Sequence, residues 1–243
     1  MLALVAAIFV SGGFAMQLQN GYKAQAEKQN EMKPYKPIMP EAAEPEDVVA
    51  QEAEKVHVNQ GIVDLKEEYV DAVGWITIPH TGVDHPFVQA GDNDYYVRKD
   101  MDGNFAMAGT IFMDCQSASD FSGFNMILYG HHMRNGTMFA SLAQYYDEEF
   151  FKTNTKGTIF LADKTLSLDF FAFIIVKEDD TVVYGDPSDE GARDAMLEYI
   201  SENAMNYREI GVDTDDHLVT LSSCTREFND YRMLLIGRAT RIQ

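Results

Sequence analysis

Apolar and polar positions change rhythm several times along this chain. The run LALVAAIFVSGGFAM, residues 2–16, is almost wholly apolar. At fifteen residues it is shorter than the ~20 needed to span a bilayer. No basic residue precedes it, whereas Lys23 and Lys28 follow it. This pattern predicts a membrane anchor over residues 1–20 whose start is trimmed. A cleaved signal peptide or a buried soluble helix are the alternatives. Residues 17–55 are polar and carry Pro34, Pro37, Pro40 and Pro45 ahead of a mostly acidic run, Glu41 to Glu54. They read as an extracytoplasmic stalk over 21–60, helical near its end, that holds a domain (61–243) away from a membrane.

Beyond the stalk the spacing becomes regular. Ile62, Leu65, Tyr69, Val70 and Val73 recur at helical intervals and predict a helix over 61–74. Short apolar runs with turn punctuation follow at 75–79, 85–89, 105–113, 125–130, 157–162, 166–176, 217–223 and 231–238. Strands at this density predict a mainly β domain, a closed or nearly closed barrel. Two stretches of helical spacing interrupt it. One covers 137–151, with Met138, Leu142 and Tyr145; the other covers 187–207, with Met196, Leu197, Ile200 and Met205. Ser188 is the predicted N-cap of the second.

The chain has 243 residues, 39 of them acidic and 19 basic, for a formal net charge of -20. A nucleic-acid partner needs a basic face, and this balance excludes one as the default. It also disfavours general adhesion to anionic lipid. The two cysteines, Cys115 and Cys224, leave two readings open in an exported protein: a disulfide, or free thiols with separate roles.

The chemistry-bearing residues lie at strand ends. The run LVTLSSC ends on Cys224, and Arg232 follows eight residues later inside the next run. Upstream, NMILYG ends on Gly130 and is followed by His131 and His132. A thiol and an imidazole brought together by a barrel are what nucleophilic thiol catalysis needs, because the imidazole takes the thiol proton. A guanidinium one strand over supplies donors for an oxyanion. Alternation predicts Arg232, Leu234 and Ile236 on one face, and Tyr231, Met233 and Leu235 on the other. The bland reading makes the histidine pair a solvated turn and Arg232 a surface cation. Adjacent histidines cannot easily share one metal ion.

TLSSC (220–224) with Arg232, preceded by YGHHM (129–133), resembles the sortases, and class B most of all. GWITIP (74–79), DNDYY (92–96), AGTIFMD (108–114) and NGTMFASL (135–142) agree, so the resemblance extends over roughly residues 61 to 240. It implies an eight-stranded sortase barrel with an N-terminal helix and inserted helices, the 187–207 helix beside the substrate groove. It implies Cys224 as nucleophile, His131 as catalytic histidine and Arg232 as oxyanion arginine. Ser222 and Ser223 match hydroxyls beside the nucleophile, and Asn93 and Val97 match a segment bordering the groove. The activity implied is that of a cysteine transpeptidase of the thiol-peptidase class. It cleaves a C-terminal sorting motif of secreted proteins after Thr, through a thioester, and transfers the acyl group to a peptidoglycan-precursor or pilin amine. With the anchor expected from the apolar run, the resemblance implies a single-pass protein of a Gram-positive cell membrane with its catalytic domain outside the cytoplasm, and no cofactor is implied. Ser223 stands where Thr is common, and Cys115 where an aromatic residue is frequent. Two alternatives stay open at this point. One is a non-catalytic binding module with a Cys115–Cys224 bridge, the other a thiol hydrolase that uses water.

Overall fold

The structure, a computed structural model, describes residues 2–39, 58–225 and 230–243, with residues 2–15 described by backbone only. The acidic run 41–54 lies outside the described residues.

Among the described residues nine strands follow in chain order: β1 (Ala72–Thr77), β2 (Asp84–Val88), β3 (Ile111–Met113), β4 (Asn125–Tyr129), β5 (Lys156–Phe160), β6 (Thr165–Lys177), β7 (Asn206–Tyr207), β8 (His217–Cys224) and β9 (Tyr231–Arg241). Their spatial order is β5-β1-β2-β3-β4-β8-β9-β6, and β6 pairs back onto β5, which closes a ring of eight. Closure removes the unpaired edges that an open sheet of this length would expose. β7 is a two-residue addition to β6. β6 is long enough to serve two partners along one edge. Residues 165–169 pair with β5 and residues 172–173 with β7, and the register shift between Phe170 and Ala172 falls where the partner changes.

Period-two alternation sorts the side chains of these strands. On β8, Val219 and Leu221 point into the barrel; on β9, Met233 and Leu235 do; on β4, Met126 and Leu128 do. The opposite face of β8, β9 and β6 carries Leu218, Leu234, Ile236, Ile174 and Val176. That outer face is covered by α4 (Glu190–Asn203), which buries Met196 and Ile200 against it. Each such buried side chain contributes roughly 1.5–3 kcal/mol. The two faces predicted for β9 are therefore both realised, one in the barrel and one under α4.

Several predicted elements are shorter or broken. The helix expected over 61–74 is α2 (Gln60–Glu68); Tyr69 is already extended, Val70 is solvent-exposed, and Val73 belongs to β1. β-branched valines fit both periods, and strand pairing with β2 wins here. Of the strand expected over 105–113 only 111–113 pairs as a strand, because Gly109 (φ 58°) turns the chain ahead of it. The helix expected over 137–151 splits into a 3-10 turn, 140–146, and α3 (Glu148–Thr153). Asp147 starts α3 by accepting the Phe150 N–H. The cap of α4 is Asp189, one residue past Ser188, and it accepts the Ala192 N–H at 3.0 Å.

The polar segment that reads as a stalk is helical over its first half. α1 (Leu2–Met32) continues through it and lies against the domain. Gln25 donates to Thr137 (2.7 Å), Lys28 to Tyr69 (3.2 Å), and Lys36 to Asp84 (2.7 Å). Among the described residues, no helix is long and apolar enough to cross a membrane. The single-pass anchor expected from residues 2–16 therefore has no support in the structure.

Candidate active site

The register of β4, β8 and β9 sets out the site. β4 and β8 run parallel, with Tyr129 beside Ser222, and the same register carried two residues past β4 sets His131 beside Cys224. β8 and β9 are antiparallel, with Cys224 directly opposite Arg232. Neighbouring strands are ~4.8 Å apart, so His131, Cys224 and Arg232 form one row across three strands. Alternation puts this row on the outer face, continuous with Leu218, Thr220 and Ser222 on β8 and with Leu234 and Ile236 on β9. The thiol is therefore presented outside the barrel and beyond the end of the α4-covered surface. Cys224, His131 and Arg232 are all half-buried.

Gly130 makes the turn out of β4 possible. A Cβ there would lie 2.5 Å from Ile111 Cδ1 and 2.7 Å from the Phe139 ring, inside the barrel. Ser223 secures the same junction from the inner face, donating its hydroxyl to the Gly130 carbonyl at 2.7 Å. His132 Nδ1 lies 3.2 Å from the Cys224 carbonyl and donates to it, because a carbonyl can only accept. With the Gly130 N–H bonded to the Ser222 carbonyl at 3.1 Å, these contacts tie together the two strand ends that carry the imidazole and the thiol.

His131 Nε2 lies 2.8 Å from the Val97 carbonyl. The carbonyl accepts, so Nε2 carries the proton and Nδ1 of the neutral ring is the basic atom. Burial pushes the His131 pKa below its ordinary value, the Val97 bond opposes this, and the Arg98 and Arg232 charges lower it further. A neutral imidazole at physiological pH can take a proton. Arg232 donates from Nη1 to the Tyr231 carbonyl (3.1 Å) and from Nη2 to Glu178.

Two tyrosines stand on this face near the row. Tyr129 lies on β4 two residues before His131, and its hydroxyl donates to Asp114 Oδ2 at 2.9 Å. Tyr184 stacks on it with ring centroids 6.2 Å apart, and its hydroxyl shares a hydrogen bond of 2.9 Å with Ser222 Oγ. Burial raises both phenol pKa values, that of Tyr184 to about 12, so both stay neutral hydrogen-bonding groups. Tyr184 sits in a loop held from three sides. Asp180 accepts from Val182 N, Val183 N and Tyr199 of α4. Buried Asn125 donates to the carbonyls of Val183 and Gly185 and accepts from Thr220. Asp186 accepts the N–H groups of Phe124 and Asn125.

The remaining residues singled out from the sequence fall around this row. Val97 meets it through its carbonyl. Asn93 spans the loop after β3, donating to Asp114 Oδ2 (2.7 Å) and accepting from Cys115 N (2.8 Å), so both ends of its amide are engaged within the protein. Ser222 is buried on the outer face under Tyr184, and Ser223 is buried on the inner face. Sequence reading missed Tyr129, Tyr184, Asn125 and Glu178. Tyr129 shares the period of His131 and was legible; Asn125 opens the same strand, Glu178 continues the pairing of β6 with β9, and Tyr184 is brought in by a loop.

Both cysteines are free. Asp114 N bonds the Ile127 carbonyl, and Ile127 is level with Thr220, four residues before Cys224. Four residues of strand are ~13 Å, against a limit of ~7 Å between the Cα atoms of a disulfide. A Cys115–Cys224 bridge is therefore incompatible with this fold, and the binding-module alternative that relied on it loses its basis. Among the described residues no three histidine, cysteine or carboxylate side chains group as a metal site.

A thiol, a neutral imidazole and a guanidinium in one row define a class of proteins, the thiol acyl-transfer enzymes. A sortase-domain profile matches residues 76–242. The chain is 32% identical to sortase B of Listeria monocytogenes over 195 residues, 74% of each chain. It is 25% identical to sortase B of Staphylococcus aureus over 191 residues, 76% of this chain and 77% of that one. Among solved structures, sortase B of Bacillus anthracis in complex with AAEK1 superposes with a TM-score of 0.77 at 28% identity. That match covers 91% of this chain and 98% of the other. The chain belongs to the sortase family, and within it to class B. It is accordingly a sortase-type transpeptidase, a family that acts on proteins bearing sorting signals and on amine acceptors; the curated relatives come from Gram-positive bacteria.

Proposed function

We propose that this protein cleaves a C-terminal sorting motif after Thr and joins the released acyl group to an amine of the cell wall or a pilin. The observation that carries the reading is the His131–Cys224–Arg232 row on the outer face beside Tyr129 and Tyr184. In the first step His131 Nδ1 takes the Cys224 proton as the sulfur bonds to the Thr carbonyl carbon. The carbonyl oxygen becomes an oxyanion, and the Arg232 guanidinium donates to it. The C–N bond then breaks, and the His131 imidazolium gives its proton to the departing amine. A Cys224 thioester remains. An acceptor amine attacks it, loses a proton to His131, and releases a new amide and the Cys224 thiol. None of these steps needs an oxidant or a metal ion. Sorting of secreted proteins places the reaction on the outer face of the cell.

A peptide library cleaved by the described domain would define the motif. Wild type should form a mass increment on Cys224 equal to the acyl fragment, and a glycine-based amine should capture it as a ligated product. Cys224→Ala should form neither while keeping its unfolding transition. Cleavage retained in that variant would refute the nucleophile assignment. Hydrolysis with no amine capture would favour water as acceptor and make the protein a thiol hydrolase.

A further inference from the structure

We infer that Glu178 is a positioning residue for Arg232, holding the guanidinium in the plane in which it meets the oxyanion. The inference rests on the catalytic reading of the row given above. Glu178 follows the last residue of β6, and its N–H bonds the Asp230 carbonyl at 2.9 Å. β6–β9 pairing therefore extends one step past Lys177–Tyr231, and the Glu178 backbone is fixed beside β9. Val176 pairs with Arg232, and Glu178, two residues on, shares their face. Its carboxylate accepts from Arg232 Nη2 while Nη1 donates to the Tyr231 carbonyl. Two contacts on different nitrogens of a planar fork define its orientation.

Stability does not account for this pair. Glu178 is 50% exposed and Arg232 23% exposed, and ion pairs open to water contribute only ~0–1 kcal/mol. Orientation has a larger effect in an acyl-transfer site, because a donor that must reorganise when the oxyanion forms loses most of its advantage. The carboxylate has an electrostatic consequence as well. His131 is faced by Arg98 from the 95–98 turn, by Arg232 on β9 and by the Val97 carbonyl, and the β4–β8 register sets Cys224 beside it. Both arginine charges disfavour its protonated form, and Glu178 offsets one of them.

The test uses the full chain, with wild type, Glu178→Gln and Glu178→Ala assayed on a library-selected sorting peptide with a glycine-based amine acceptor. Glu178→Gln keeps the length of the side chain and removes its charge. Its kcat should fall about 3- to 10-fold with KM within about twofold, because the interaction lost belongs to the transition state. Its acid limb in kcat/KM against pH should move to lower pH, because the Arg232 charge then acts on His131 without its counter-ion. Glu178→Ala should lose at least as much activity, with the same displacement of the acid limb. Unchanged kcat, a loss confined to KM, or an acid limb that does not move would each overturn the proposal. The last of these, with a lowered melting temperature, would mark Glu178 as merely structural. If wild type itself forms no Cys224 acyl-enzyme, the reading of the row fails and this proposal fails with it. An active wild type beside an indifferent Glu178→Gln removes only the role of Glu178.

Discussion

Asn125→Ala tests the link between the buried outer face of β4 and β8 and the loop that carries Tyr184. Asn125 is 1% exposed and makes three side-chain hydrogen bonds. It donates to the Val183 and Gly185 carbonyls at 3.0 and 2.9 Å, and it accepts from Thr220 Oγ1 at 2.7 Å. Alanine leaves all three partners without the amide in a region that excludes water. At about 1 kcal/mol net per bond the loss is about 3 kcal/mol, with more where a partner stays unsatisfied. For a domain of this size that is roughly 6–12 °C in melting temperature. The single tryptophan, Trp75, is 1% exposed on β1, on the far side of the barrel order from β4 and β8. Urea unfolding followed by its fluorescence therefore reports global stability rather than local loosening. A second measurement checks the functional link. The 182–185 loop carries Tyr184, so KM for the selected peptide should rise at temperatures where the variant is still folded. A stability loss below about 0.5 kcal/mol would refute the account of the network. A full loss of stability with unchanged KM would show that Tyr184 keeps its place without Asn125.

Two further outcomes are expected. Burial holds the imidazole of His85, on β2, at a pKa of about 4, with nearby Asp84 and a Gly82 backbone hydrogen bond opposing the shift. The unfolded chain binds this proton near pH 6.5 and the native state does not. Stability is therefore full above pH 6.5 and falls as pH drops toward 4, by about 3 kcal/mol in all. Denaturant midpoints measured from pH 7 to 4 should show this slope, and His85→Phe should flatten it; an equal slope in the variant would assign the effect to other groups. Arg232→Lys should lower kcat/KM by at least about 100-fold, because an ammonium cannot reproduce the fork held between Glu178 and the oxyanion. Near-normal turnover would hand the role to another cation.

The sequence was most informative where a period of two is enforced by burial on both sides. Met233 and Leu235 against Leu234 and Ile236 is such a case, since slipping the register by one residue would exchange barrel core for α4 contact. The same logic made Arg232 conspicuous, as the polar member of an apolar face. Legibility failed where a short pattern satisfies two periods at once, as at Tyr69, Val70 and Val73, where the helix stops at Glu68 and Val73 joins β1 beside β2. It failed again at 137–151, where Asp147 offers a cap in mid-pattern. The placement of His131, Cys224 and Arg232 could be read because they sit at or near strand ends with distinctive neighbours. Tyr184 could not be read, since it reaches the row from a loop whose course depends on Asn125, Asp180 and Asp186, and Glu178 could not be read, since its place beside Arg232 depends on the pairing of β6 with β9. The fate of the cysteines needed the pairing of β3 with β4, a relation between segments that no local spacing encodes.

The position of β9 bears on how the protein acquires its fold. β9 comes last in chain order among the described strands, yet it lies between β8 and β6, in the middle of the sheet. Until it arrives, β6 and β8 have no bridge between them and the ring stays open along its longest seam. Cys224 then faces no guanidinium, and the barrel core lacks Met233 and Leu235. Long-range pairings of this kind form slowly, because the chain between partners must be closed before contact rewards it. A nascent chain thus gains Cys224 only shortly before β9, and ring closure and the meeting of its thiol with the Arg232 guanidinium arrive as one event.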